Sequence, residues 1–288
     1  MQLICAEGAF FCFCRHLHGN AESEEIMHFT KMQGLGNDYL YVFGEAPANI
    51  EALSRRLSDR HFGVGADGMI YINRSAYADF SMRIFNADGS EAKMCGNGIR
   101  CVGKYLYEKG YTDKTRLTIE TLAGIKSLEL EVVFGKVQSV RVEMGTVQVS
   151  APEILMAAGE EVAFSPVNVG NPHAVVFCED AEKTAVETLG RAMETHPRFT
   201  DGVNVEFVSL LKDNQLRMRV WERGSGITMA CGTGACAAAA AAVQQGFCQA
   251  DTPVEVVLDG GSLFITVATD GTVRMTGPAA FVFEGETF

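Results

Sequence analysis

Residues 82–110 read MRIFNADGSEAKMCGNGIRCVGKYLYEKG, and residues 218–246 read MRVWERGSGITMACGTGACAAAAAAVQQG. The two segments align without a gap at a shift of 136. They match at Met82/Met218, Arg83/Arg219, Cys95/Cys231, Gly96/Gly232, Gly98/Gly234 and Gly110/Gly246. Fainter echoes lie outside them. LGN ending at Asn37 returns as VGN ending at Asn171, and Asp67-Gly68 returns as Asp201-Gly202. A segment written twice predicts two similar halves. A duplicated fold brings one residue type to the same place from two sides, and here that residue is a cysteine. Two facing thiols suit moving a proton from one face of a carbon to the other.

Each copy reads as strand, short loop, Cys-Gly-x-Gly, helix. The spacing predicts helices over 97–109 and 233–245, each stopped by a following glycine, Gly110 or Gly246. Weaker helical signals cover 54–61 and 181–196. Strands are expected over 79–86, 117–121, 127–134, 137–144, 173–178, 203–210, 215–222, 253–258 and 263–269, where alternating or β-branched residues end at Gly, Asp or Pro. The second helix carries an unbroken alanine run, 237–242. A helix apolar all round is surrounded by protein, so a curled sheet is expected to enclose it. The first helix is less uniform, because Lys104 and Glu108 need access to water.

Composition narrows the class. A chain of 288 residues with 47% hydrophobic and 21% charged residues is globular and long enough for two domains. A net charge of −12 disfavours nucleic acid, and no apolar run is long enough to cross a bilayer. Nine irregularly spaced cysteines are not a disulfide framework; they favour a reducing compartment, the cytoplasm. Residues 1–26 read as a disordered extension, or as sequence upstream of a start at Met27. Cys12, Cys14, His16 and His18 lie there, but their spacing matches no usual zinc pattern, and no metal is expected.

The cysteines of the repeat precede helices, where unpaired N–H groups and the helix dipole favour negative charge. Their thiol pKa values are therefore expected to be lowered. The N–H groups of Gly96, Asn97, Gly232 and Thr233 can hold a carboxylate. Asn86 and Glu222 occupy matching repeat positions, Arg223 follows Glu222, Asn37 matches Asn171, and Asn204 comes shortly after Asp201-Gly202. Asn and Arg suit carboxylates, and Glu suits an ammonium. His173, in GNPH, is placed to tune a thiol. Cys101, Cys236, Cys178 and Cys248 read as core. The set describes a cage for a small zwitterion around two thiols.

HFTKMQGLGNDY, RHFGVGADG, FNADGSEAKMCGNGIRC, GNPHAVVF, DGVNVEFV and WERGSGITMACGTGACA together resemble the diaminopimelate epimerase family, from Met27 essentially to the C-terminus. The resemblance implies an α+β fold of two pseudo-symmetric halves, each a barrel-like mixed β-sheet around a central helix. The expected division is 27–144, 145–272, and a final strand over 273–288 that packs back on the first half. The implied activity is cofactor-independent epimerisation of LL- to meso-2,6-diaminopimelate in lysine biosynthesis, with neither pyridoxal phosphate nor a metal. By the same resemblance, Cys95 and Cys231 are the acid/base thiols and His173 and Glu222 set their pKa values. Asn37, Asn86, Asn171, Asn204, Glu222 and Arg223 match its substrate contacts, and Gly96-Asn97 and Gly232-Thr233 match its carboxylate clamp. A cytoplasmic homodimer is expected. Two positions depart: Gly68, where many members carry Gln, and Ile227, where many carry Glu. The rivals are a proline racemase-like isomerase on the same fold and a thiol redox or metal-binding protein, which would lack its usual CxxC signature.

Overall fold

The computed structural model of the chain describes residues 26–287, so Cys5, Cys12, Cys14, His16 and His18 lie outside the described residues. The first half runs β1 (His28–Gly34), β2 (Asn37–Phe43), α1 (Ile50–Ser58), β3 (Gly68–Arg74), β4 (Phe80–Asn86), β5 (Glu91–Ala92), α2 (Gly96–Glu108), β6 (Arg116–Thr121), β7 (Gly124–Val133) and β8 (Lys136–Thr146). Then come β9 (Gln148–Val149), β10 (Glu153–Ala157), β11 (Glu160–Asn168), β12 (Pro172–Phe177), α3 (Val186–Glu194), β13 (Asn204–Lys212), β14 (Gln215–Glu222), β15 (Gly226–Ile227), α4 (Gly232–Gln244), β16 (Pro253–Leu258), β17 (Gly261–Val267), β18 (Thr272–Gly277) and β19 (Ala280–Glu286).

The pairings repeat as the sequence does. β2–β3 and β12–β13 are parallel, β3–β4 and β13–β14 antiparallel, and β4–β6 and β14–β16 parallel. β6–β7–β8 and β16–β17–β18 are antiparallel meanders. The fold is α+β with two pseudo-symmetric halves. They are joined edge to edge where β8 pairs with β18, and β19 returns to pair with β1. Among the described residues no helix is long and apolar enough to cross a membrane.

Strand register also corrects one of the sequence echoes. Ile70 pairs with Ile84, and Glu206 pairs with Val220, each partner shifted by 136. Gly68 therefore corresponds to Asn204, and the Asp67-Gly68/Asp201-Gly202 likeness is not a structural equivalence. On β2 and β12 the shift is 134 instead, since Tyr41 pairs with Ile70 where Val175 pairs with Glu206. The Asn37/Asn171 match stands at that shift.

Strands β1, β2, β3, β10 and β11 and the two-residue β5, β9 and β15 were not expected from the sequence, and the single strand expected over 273–288 is two, β18 and β19. For β2 and β3 the reason is double burial. Their residues are buried at nearly every position, so no alternation is left to read. One face packs on the inner core. The other packs under α1, through Leu40, Val42, Ile50, Leu57, Met69 and Phe85. α1 starts and stops earlier than the 54–61 signal, and α3 is shorter than 181–196.

Inside the halves lie α2 and α4. Every alanine of α4 is buried, as a helix enclosed by a curled sheet requires. α2 solves its polar positions differently from expectation. Lys104 and Glu108 are not bathed in water. They pair at 2.7 Å, with side chains only 12% and 5% exposed. Lys104 Nζ also donates to the Val137 carbonyl, and Glu108 accepts from the Val137 N–H and from Lys136. A buried pair survives only when its remaining hydrogen bonds are made, and these are.

The tight fit around α4 gives a stability test. Ala238→Leu forces a larger side chain against sheet on all sides and should destabilise the protein by about 1–3 kcal/mol. Urea unfolding monitored by circular dichroism measures it.

Candidate active site

Cys95 is the N-cap of α2 and Cys231 the N-cap of α4, both in extended backbone conformation. Each sulfur accepts a hydrogen bond from the N–H three residues on, Gly98 or Gly234, at 3.3 Å. The first amides of each helix have no carbonyl one turn back to bind, so they remain donors toward the same space. The two helix ends meet. A Cβ added to Gly96 would sit 3.7 Å from Cα of Gly232, and one added to Gly232 would sit 3.6 Å from Cα of Gly96. Asn97 Nδ2 crosses the junction to donate to the Ala230 carbonyl at 3.0 Å. The duplicated motif thus brings its two thiols and its two anion-favouring helix ends to one place.

Around Cys95, the thiol donates to Asn37 Oδ1 at 3.4 Å, and Asn37 Nδ2 donates to Asp67 at 2.7 Å. Around Cys231, Thr233 Oγ1 lies 3.5 Å from the sulfur, and Asn171 Nδ2 reaches Thr233 Oγ1 at 3.5 Å. Asn171 Oδ1 is 3.1 Å from His173 Nε2. Glu222 accepts from the hydroxyl of Thr228. Asn86 Nδ2 donates to Ser90 Oγ at 3.0 Å. Asn204 is occupied by the backbone: its Nδ2 donates to the Pro172 carbonyl at 3.1 Å and its Oδ1 accepts from Arg223 N at 3.0 Å. The exposed Arg223 side chain donates to the Asp201 carbonyl at 2.9 Å.

The expected lowering of the thiol pKa values is overturned. Burial raises the Cys95 thiol, and the N–H groups of Gly98 and Asn97 only partly offset it. Burial drives Cys231 well above the ordinary value, and the negative charges of Glu222 and Glu206 add to it. Desolvation outweighs the helix end at both thiols. Burial also raises the Glu222 carboxyl, against hydrogen bonds from Thr228 and the Cys231 thiol.

Four participants were not read from the sequence. Glu206 is fully buried and its Oε1 lies 2.6 Å from His173 Nδ1. Its signal was available, because the 136 shift sets it on Ile70. Thr228 holds Glu222, so beside the Ile227 departure the neighbouring threonine keeps a role. Asp67 anchors Asn37. Arg100 is fully buried, and donates to the Gly96 carbonyl at 3.0 Å and to the Pro278 carbonyl at 3.1 Å. It braces the first turn of α2 against the turn before β19. At Gly68 the backbone is positive in φ, and a Cβ there would meet the Phe85 carbonyl at 2.1 Å. A side chain cannot be added at Gly68 without moving the strand.

The family profile described as Diaminopimelate epimerase matches residues 29–150 and 165–282. The chain belongs to the diaminopimelate epimerase family. A diaminopimelate epimerase from Phocaeicola vulgatus is 52% identical over 273 residues, covering 90% of this chain and 97% of its own. Another, from Methanococcus maripaludis, is 48% identical and is covered over 99% of its length. Among solved structures, a Bacillus anthracis phenazine biosynthesis protein of the PhzF family has a TM-score of 0.72 at 17% identity, covering 92% of this chain and 99% of its own. A hydroxyproline epimerase from Agrobacterium vitis has a TM-score of 0.70 at 18% identity, covering 92% and 93%. These two share the fold alone. The proline racemase-like rival therefore shares the architecture, while sequence identity places this chain in the family of diaminopimelate epimerases.

Cys101 and Cys236 are fully buried in the hydrophobic core. Burial pushes the Cys236 thiol up to about 12. A thiol whose pKa rises on folding stabilises the fold below its unfolded value, and that stability is lost as pH rises toward the folded value. Cys236→Ala should therefore lose stability less steeply between pH 9 and 11, by about 1.4 kcal/mol per pH unit. Denaturant titrations across that range measure the slope.

Proposed function

We propose that the chain epimerises LL-2,6-diaminopimelate to meso-2,6-diaminopimelate, with Cys95 and Cys231 as the acid/base pair. The observation that carries this reading is the meeting of two cysteine-capped helix ends at Gly96 and Gly232. A carbon held between the two sulfurs can lose its proton to one and gain a proton from the other on the opposite face. The direction of reaction decides which sulfur acts as base.

The difficult species is the planar carbanion. Its charge spreads into the α-carboxylate. That group would lie against the amides of Gly96, Asn97, Gly232 and Thr233, fixed before the reaction starts. The substrate's α-ammonium brings positive charge between two buried thiols, which favours forming a thiolate there. Asn37, Asn86, Asn171 and Asn204 order the polar wall, with Glu222 close to the Cys231 thiol and the ammonium. His173 adjusts the Cys231 side. Arg223 would leave the Asp201 carbonyl to pair with the far carboxylate, a fork on two oxygens. No electron sink outside the protein is needed on this route.

The same reading takes residues 27–144 and 145–272 as the two working halves, with residues 273–288 returning to the first, and has the enzyme act as a homodimer in the cytoplasm. The free cysteines among the described residues fit a reducing compartment.

The protein, dialysed against a chelator and given no pyridoxal phosphate, should form meso-diaminopimelate in a coupled assay. Activity that returns only with zinc or pyridoxal phosphate would overturn the reading. Cys95→Ala and Cys231→Ala should each lower kcat by about a hundredfold to ten-thousandfold, measured beside Cys101→Ala, which should keep near-normal turnover.

Arg223→Lys keeps the charge and loses the fork. It should raise KM for diaminopimelate far more than it lowers kcat, and steady-state kinetics read the split.

A further inference from the structure

Under the N-terminus of each central helix one strand residue fills the same register position. In the first half it is Ile70, which pairs with Ile84 and Tyr41; its Cδ1 is 2.7 Å from a Cβ added to Gly98. In the second half it is Glu206, which pairs with Val220 and Val175; its Oε1 is 2.7 Å from a Cβ added to Gly234. The backbone and the glycine contact are the same. One half places a methyl group there and the other a carboxylate.

Stability gives no reason for the carboxylate. The first half forms the same structure around an isoleucine. An ion pair buried this deeply is on balance no more stabilising than apolar side chains of its size. Glu206 Oε2 is buried without a partner among the described residues, which adds cost. Glu206 Oε1 does have a partner, His173 Nδ1 at 2.6 Å, and both side chains are fully buried. The position matching His173 in the first half holds Tyr39, so the first half has neither member of the pair.

From His173 a chain of polar contacts leads to the sulfur. Nε2 lies 3.1 Å from Asn171 Oδ1, Asn171 Nδ2 3.5 Å from Thr233 Oγ1, and Thr233 Oγ1 3.5 Å from Cys231 Sγ. A carboxylate at Nδ1 requires a proton on that nitrogen, which fixes the ring's orientation and leaves Nε2 to face the site. Cys95 is served differently, by Asn37 held on Asp67.

We propose that Glu206 is a positioning residue: it holds His173 by Nδ1 and so orders the His173–Asn171–Thr233 chain against Cys231, which makes the two thiols inequivalent. This rests on the two-thiol reading above. The titratable groups around Cys231 are Glu222 on β14, Glu206 on β13 and His173 on β12, and α4 carries no charged residue. The carboxylate of Glu206 also adds to the burial that holds the Cys231 proton.

Two variants of the full chain test this. Glu206→Ile copies the first half and removes both acceptor and charge. Glu206→Gln removes the charge but keeps an oxygen that can accept from Nδ1. Iodoacetamide alkylation of each thiol is followed across pH by peptide mass spectrometry, beside steady-state kinetics. Glu206→Ile should lower kcat about tenfold to a hundredfold, the scale on which outer hydrogen-bond partners act, and Glu206→Gln should recover most of that. In both variants the Cys231 alkylation curve should move to lower pH while the Cys95 curve stays. Unchanged kcat in Glu206→Ile, no recovery in Glu206→Gln, or equal movement of both thiols overturns the proposal. If Glu206→Ile does not fold, Glu206→Gln decides alone, and an unmoved Cys231 curve overturns it. The alkylation curves need no turnover, so they test Glu206 even if diaminopimelate proves not to be the substrate.

Discussion

The N-termini of α2 and α4 meet backbone to backbone at Gly96 and Gly232, and this contact sets the geometry of the rest. Only residues without a side chain let two helix ends come so close. Met275 packs against the same spot, with its Cε 3.0 Å from a Cβ added to Gly96 and its Sδ 3.1 Å from one added to Gly232. Arg100 and Asn97 lock the junction by hydrogen bonds to carbonyls on the far side. Two like dipole ends facing one another repel. The fold tolerates this because each helix is held along its whole length by a sheet wrapped around it. An anion between the ends would relieve the repulsion, as the carboxylate clamp of the proposed function requires.

The thiols show how environment can reverse a local rule. A cysteine at a helix N-terminus is ordinarily more acidic, and the amides of Gly98 and Gly234 do lower both thiols. Burial nevertheless wins, more strongly at Cys231, where two carboxylates add their charge. Both thiols are thus held toward the protonated form, and on the proposed route the charge that favours a thiolate comes with the substrate's ammonium.

The pseudo-symmetry is also broken in a directed way. Asn86 corresponds to Glu222 in the repeat, Ile70 to Glu206, and Tyr39 to His173. The second half has gained negative charge and an imidazole, while Arg100 of the first half corresponds to Cys236 of the second. The two thiols are therefore alike in position and different in surroundings.

Much of this was legible in the sequence. The gapless repeat determined the pair of halves, and the Cys-Gly-x-Gly motifs with their glycine stops determined both central helices and the two thiols. The alanine run determined that α4 is enclosed. Only the tertiary structure decided the rest. β2 and β3 left no alternation to read, because α1 buries their outer face as fully as α2 buries the inner one. Lys104 and Glu108 read as solvated, because a partner as distant in sequence as Val137 cannot be inferred from spacing. Glu206 sat unremarked in VNVEFV, because a buried carboxylate acquires meaning only from what it touches. Its imidazole partner lies 33 residues away, and that contact exists only after parallel strands β12 and β13 are laid side by side. Sequence periodicity records which face a residue takes; contacts between distant segments, and the desolvation that follows, belong to the folded chain.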